Sequence, residues 1–188
     1  RALTVDWPRG ANSIGQLEFS VIADVDSEIF ENNPADTAEA NNRVETTIAS
    51  GPDLIVQNLR IAEPTVEAGG LITILWEDSN EGVAPTISSF NDRLVVFNAS
   101  RDETLLDVSV AFVPILSGGD IQPGEFRERS FSYRLPEGVR GAGTIEIRVT
   151  ADRNANGGGS LFETNPAGTA ETNNEATFSL VSAPKFYA

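Results

Sequence analysis

Cysteine, methionine and histidine are all absent from this chain of 188 residues. Without histidine there is no Ser–His or Cys–His nucleophile pair and no imidazole metal ligand. Without cysteine there is no disulfide, no thiolate nucleophile and no zinc–sulfur site. A lack of oxidisable sulfur suits a protein exposed to oxidant for long periods and points to an extracellular or cell-surface location. Long apolar runs are also missing: the longest candidates, "LITILW" and "VAFVPIL", fall far short of the roughly 20 residues that span a bilayer, so no membrane insertion is expected. Positive charge is scarce, with 13 Lys and Arg against 28 Asp and Glu and a net charge of −15. Nucleic acid and anionic membrane surfaces both require a basic footprint, so the charge argues against them as partners. The acidity is compatible with divalent cations or simply with solubility.

What the chain does have is a copy of part of itself. Displaced by 128 positions, Pro8, Gly10, Gly15, Glu18, Val21, Ala23 and Asp24 fall on Pro136, Gly138, Gly143, Glu146, Val149, Ala151 and Asp152. Around "NANGGGS" the second copy gains four residues and the displacement becomes 132, so that "IFENNPADTAEANN" (29–42) meets "LFETNPAGTAETNN" (161–174). "SGPDL" at 50–54 answers "SAPKF" at 182–186. Internal repetition of this kind is the signature of repeated modules. The expected organisation is the C-terminal half of one repeat at 1–50, a complete repeat at 51–182, and the start of a further strand or linker at 183–188. The chain opens at Arg1 with no leader-like segment, which predicts a processed or excised N-terminus.

Period-two alternation dominates and helical periodicity is nearly absent. "TIEIRVTAD" places Ile145, Ile147 and Val149 on one face, as "QLEFSVIAD" places Leu17, Phe19 and Val21. "NEATFSLVS" turns Ala176, Phe178 and Leu180 to one side, like Val44, Thr46 and Ile48 in the first copy. "RSFSYRLP" points Phe131, Tyr133 and Leu135 inward, matching Leu3, Val5 and Trp7. Further strands are expected at 53–61, 71–78, 93–99 and 104–113, punctuated by Gly and Pro. Trp7 and Trp76 lie on such strands and read as core or sheet-face residues. Seven short strands in the second copy predict an all-β antiparallel two-sheet sandwich.

The stretch "PDLIVQNLRIAEPTVEAGGLITILWEDSNEGVAP", the later "GGDIQPGEFRERSFSYRLPEG" and a strand followed by an "E…ETNN" loop together resemble the CARDB domain. CARDB is the cell-adhesion-related domain found in tandem on bacterial and archaeal surface proteins. The likeness covers 53–182 wholly and 1–50 in its second half. It implies an immunoglobulin-like or fibronectin-III-like sandwich used as a repeated extracellular module. The chain departs from the common form at "FVPILSGG" and "NANGGGS".

The repeated polar loop offers the one candidate site. Asp24, Asp26, Glu28, Glu31, Glu39 and Asn41 in the first copy, and Asp152, Asn154, Asn156, Glu163, Glu171 and Asn173 in the second, bring many oxygens to one end of a hairpin. Calcium takes six to eight such oxygens in flexible loops, and a structural Ca2+ site is the functional reading. "DRNANG" imitates the first half of an EF-hand loop, and Glu163 follows Asp152 by eleven residues, but the pattern is otherwise unmatched and no flanking helices are expected. The alternative is that Asn and Asp bond their own backbone in turns and only tie down a long connection.

No enzyme is expected: acid pairs arise by chance in so acidic a chain, and no Trp-rich sugar groove accompanies them. The expected role is that of a structural or adhesive repeat in a surface protein or fibre, with Pro52 and Pro184 stiffening the joints. An incomplete sheet at 1–50 would expose an oily face and unpaired edges. Neighbouring copies or adjacent repeats are the expected partners, with "KFYA" a natural donor strand for head-to-tail assembly. The alternative is a module that binds glycan or a surface protein, with Phe90, Asn91 and Asp92 before a strand, and aromatics near Phe90 or Phe112, lining the ligand surface.

Overall fold

The computed structural model describes residues 2–6 and 10–185, with Glu39 described for its backbone alone. The chain divides into two compact units, Arg1–Ser50 and Gly51–Ala188.

The second unit is an antiparallel β-sandwich. One sheet has three strands in the order β3 (Leu54–Ile61), β5 (Leu71–Asn80) and β8 (Phe126–Arg134). The other has five, in the order β4 (Val66–Glu67), β10 (Glu175–Ala183), β9 (Gly143–Thr150), β6 (Phe90–Asn98) and β7 (Glu103–Phe112). All neighbours run antiparallel except β4, which lies parallel to the end of β10 through Val66 and Glu67. Alternation produces this arrangement directly, because successive side chains of a strand leave opposite faces. In β5, Ile72, Ile74 and Trp76 are buried; in β6, Leu94 and Val96; in β9, Ile145, Ile147 and Val149. They meet Leu54, Val56 and Phe112 in one continuous core drawn from both sheets, with Phe131, Tyr133, Ala176, Phe178 and Leu180 packed against it. In this unit the inward faces read from the sequence are thus the inward faces of the fold.

Two details differ from the sequence reading. The unit has eight strands, not seven, because the two-residue β4 is too short to carry a periodic signal. Phe90, Asn91 and Asp92 do not precede a strand but open β6, where Phe90 and Asp92 are buried. Phe90 stacks on Phe112 inside the core, ring centroids 4.6 Å apart, so this pair presents no aromatic surface to a ligand.

The first unit contains one hairpin, β1 (Gly15–Ile22) and β2 (Arg43–Ser50). Its register pairs Gly15 with Ser50 and Ile22 with Arg43. The β9–β10 hairpin pairs Gly143 with Ser182 and Thr150 with Glu175, the residues equivalent by the displacements of 128 and 132. Leu3, Val5, Val21, Ile22, Val44 and Ile48 are exposed, whereas Leu17 and Phe19 are half-buried. Residues 2–6 form no strand, contrary to the pattern of their counterparts. A strand needs a neighbour for its N–H and C=O groups, and among the described residues none pairs with 2–6. Trp7 and the last three residues of "KFYA" lie outside the described residues.

Candidate functional site

Two polar constellations stand out in the second unit, one at the entry of the chain into the sandwich and one inside its core. The first is built by the long connection between β9 and β10. Asp152 turns the chain with a φ of 43°, a left-handed conformation that Asp tolerates better than most residues. Its carboxylate then accepts the N–H groups of Ser160 (2.9 Å) and Leu161 (2.7 Å) and the Ser160 hydroxyl (2.8 Å). Asn154 accepts the N–H groups of Asn156 (2.9 Å) and Gly158 (3.3 Å). The loop therefore folds on its own polar side chains.

Its far end grips residues 51–54. The Thr164 N–H donates to the Pro52 carbonyl (2.9 Å) and the Leu54 N–H to Glu163 Oε2 (2.6 Å). Asn165 and Asn173 each donate an amide N–H to the Asp53 carboxylate, at 3.0 Å on separate oxygens. Asn174 holds Glu163 Oε1 (2.8 Å), and Glu171 accepts the Glu163 N–H (3.1 Å). Burial pushes the Glu163 carboxyl up to about 8; the Leu54 N–H opposes this, while Asp152 and Glu171 add to it. From the other side the turn after β5 closes on the same segment. The N–H groups of Val83 and Ala84 donate to the Gly51 carbonyl, and Glu81 N–H donates to that of Asp53 (2.8 Å). Asn80 Oδ1 accepts the N–H groups of Asp53 (3.2 Å) and Gly82 (3.0 Å). Gly82 lies so close that a Cβ there would stand 2.5 Å from the Gly51 oxygen and the Asp53 nitrogen.

The same loop folds the same way in the first unit. Asp24 has a φ of 45° and accepts the N–H groups of Glu28 and Ile29, both at 2.9 Å. Asn33 bonds Thr37 through side chain and backbone as Asn165 bonds Thr169. The Asn41 N–H reaches the Thr37 carbonyl (3.0 Å) as that of Asn173 reaches Thr169 (3.0 Å). With its amide in the orientation that satisfies both ends, Asn42 donates to Glu31 Oε2 (3.0 Å), as Asn174 does to Glu163.

The residues predicted as metal ligands are thus distributed rather than convergent. Asp26, Glu28, Asn41, Asn156 and Glu171 are exposed, while Asp24, Asp152 and Asn154 hold backbone N–H groups. Glu31 sits with Asn42; the Glu39 side chain lies outside the described set. Glu163 and Asn173 come together at the linker. Among the described residues no three acidic side chains form a metal-binding group.

The second constellation was missed by the sequence reading. Asp78 of β5, Arg129 of β8 and Asp92 of β6 are buried together and tie the two sheets across the core. Arg129 Nη1 donates to Asp78 Oδ2 (2.8 Å) and lies 3.2 Å from Asp92 Oδ2. Its Nη2 donates to the carbonyls of Val110 (3.1 Å) and Ala111 (2.9 Å). Trp76 Nε1 donates to Asp78 Oδ1 (3.1 Å) and Asp92 Oδ2 (3.2 Å). The guanidinium also faces the rings of Trp76 and Phe112, 5.7 and 5.4 Å from their centroids. Burial raises Asp78 to about 6 against the opposing pull of Arg129, and raises Asp92 well above its ordinary value, with the charge of Asp78 adding to it. Two carboxyls face one guanidinium, and of the two Asp92 is held further above its ordinary value, being fully enclosed and facing the charge of Asp78. The signal was present in the alternation: Asp78 continues the inward face of Ile72, Ile74 and Trp76, Asp92 that of Leu94 and Val96, and Arg129 that of Phe131 and Tyr133.

No family model and no curated protein matches the chain. Several solved structures are similar to it. One is the CARDB domain of a Pyrococcus furiosus protein in complex with di-metal ions, at 20% identity and a TM-score of 0.48, covering 73% of this chain and 99% of that one. Another is Spo0M, a sporulation control protein from Bacillus subtilis, at 12% identity and a TM-score of 0.40, over 74% of this chain and 51% of that one. A third is β-glucosidase 3B from Thermotoga neapolitana in complex with α-D-glucose, at 14% identity and a TM-score of 0.36, over 68% of this chain and 16% of that one. The structures to which this chain is similar thus include a CARDB domain, the family whose pattern its sequence resembles.

Proposed function

We propose that the chain is a structural or adhesive module of an extracellular surface protein or fibre, built from successive sandwiches and assembling head to tail. The observation that carries this reading is the linker Gly51–Leu54, held on both sides by Asn80–Ala84 and by the loop 161–174. A segment fixed this thoroughly at the entrance of a sandwich serves connection between units rather than chemistry. The exposed Val21, Val44 and Ile48, on one face of the first hairpin, support it too, because an uncovered apolar sheet face is an interaction surface. Sedimentation of the purified chain across a wide concentration range, with electron microscopy of the most concentrated sample, tests it. Linear, concentration-dependent assemblies are expected; a chain that stays monomeric throughout refutes head-to-tail assembly.

Calcium is a further element of this reading, favoured by one observation. Asn173 Oδ1 and Asn174 Oδ1 are buried and accept no hydrogen bond among the described residues. Oxygen-only chemistry suits a hard cation, and Glu163, Asn173 and Asn174 would supply it. The ligand set expected from the sequence contracts to this end of the loop, because Asp152 and Asn154 spend their oxygens on backbone N–H groups. Calcium added to metal-free protein should raise the melting temperature; an unchanged melt removes the metal from the account.

The alternative is ligand binding. The outer face of the five-stranded sheet carries a depression of 510 Å³, lined by Val95 and Phe97 with Arg93, Asp107, Glu146 and Arg148 around them. Its mixed apolar and planar charged groups suit a glycan or a protein loop. Binding on a glycan array that Phe97→Ala abolishes would favour this reading over the structural one.

A further inference from the structure

We infer that the loop between β1 and β2, residues 28–42, is a socket for a repeat-opening peptide of the Gly-Pro-Asp-Leu type. The inference rests on the proposed reading of successive units and names the partner chemistry and the residues that recognise it.

The second unit supplies the template. There the Glu163 carboxylate takes the Leu54 N–H, and Asn165 and Asn173 take the two oxygens of Asp53. Each of these groups has a counterpart in the first unit: Glu31 for Glu163, Asn33 for Asn165, Asn41 for Asn173 and Asn42 for Asn174. The counterparts are also arranged alike. The Asn–Thr bonds, the turn at residue 41, the Asn42–Glu31 contact and the left-handed Asp24 all repeat. Even the small buried residue under the loop is kept, Ala38 standing for Ala170.

What differs is the cargo. In the second unit the amides of Asn165 and Asn173 converge on an aspartate 112 and 120 positions away. In the first unit Asn33 spends one amide N–H on Thr37, and Asn41 finds no acceptor for its own among the described residues. A carboxylate accepts several donors at once, so Glu31 keeps its Asn42 contact while receiving a backbone N–H. The socket therefore selects an extended segment with an acidic side chain followed by an apolar residue whose N–H is free. Proline before the acid fits as it does at Pro52, where the carbonyl is used and no N–H is needed. The carboxyl-terminal "SAPK" segment is a poor occupant: Lys185 replaces the aspartate and presents no acceptor to the two amides.

The test uses the whole chain and the synthetic peptide SGPDLIVQNLR, followed by backbone NMR. Saturable shifts are expected at Glu31, Asn33, Asn41 and Asn42. Changing the peptide aspartate to alanine should weaken binding by about tenfold or more, the effect of losing hydrogen bonds to a charged group. Asn41→Asp in the protein, an exposed position that leaves the loop's own bonds intact, should weaken it similarly by opposing like charges. Asn173→Ala should leave peptide binding unchanged. Equal binding of the alanine peptide, shifts confined to other residues, or no shifts with peptide on the order of millimolar would overturn the inference. The two proposals separate cleanly. Peptide binding by a strictly monomeric chain keeps the socket and removes self-assembly. Assembly with no peptide response at Asn41 does the reverse.

Discussion

Asp92 is a carboxyl group with no solvent around it, facing a second carboxyl and sharing one guanidinium. Because burial raises it well above its ordinary value, the native state holds a proton that the unfolded chain releases near pH 4. Native protein then binds more protons than unfolded protein as pH rises, so the contribution of this group to stability is full at low pH and declines upward through the folded value. Asp78, raised to about 6, adds to the decline in the same direction between about pH 4 and 6. Asp92→Asn keeps the shape and removes the titration. Thermal melts of mutant and wild type should differ little near pH 4, and the advantage of the mutant should grow towards pH 8. A difference independent of pH would place the proton elsewhere. Buried ion pairs recover their desolvation cost only with full hydrogen bonding. Arg129 bonds Val110 and Ala111 besides the carboxyls, whereas Asp92 Oδ1 has no hydrogen-bond partner among the described residues.

Among the elements, the strands were legible and the ties between them were not. Ile145, Ile147 and Val149 announce β9 because each inward position is apolar, and burial of an apolar face fixes register strongly. Seven of the eight strands of the sandwich show such alternation, broken in β5, β6 and β8 only by the inward Asp78, Asp92 and Arg129. β4 does not, since two residues have no period. The polar loop was visible as a repeated string, yet its role was hidden, because Asp53 and Asn165 are far apart in sequence and nothing local links them. Calcium was the reading that local composition favoured; the bonds among Asp152, Ser160 and Leu161 show that much of that polarity organises the loop itself. Asp53→Ala removes the acceptor of two amide donors and should cost about 1–3 kcal/mol in urea unfolding at unchanged slope. Gly82→Ala forces the turn after β5 off the same segment, with overpacking on the scale of about 1–3 kcal/mol. If the two losses simply add in the double mutant, the two sides of the grip act independently; a smaller combined loss shows one coupled element.

At the scale of the whole chain the two units differ in how much they bury. The sandwich has a continuous core. The first unit has a two-stranded hairpin with much of its apolar surface in water, and an isolated hairpin is marginal at best. Hydrogen exchange should therefore find amides of β5, β6 and β9 protected to the global limit and those of β1 and β2 exchanging much faster. Addition of a partner that completes the hairpin should slow β1 and β2 alone; equal protection of both units at the outset would mean the hairpin is already covered. The grip on Gly51–Leu54 has a mechanical corollary. Tension arriving at Gly51 from the preceding unit meets the Pro52 and Gly51 carbonyls, the Asp53 carboxylate and the Leu54 N–H within four residues. Bonds so closely spaced share a pull instead of yielding one after another, so that a force applied at Gly51 would meet these four residues before any strand of the sandwich begins to slide.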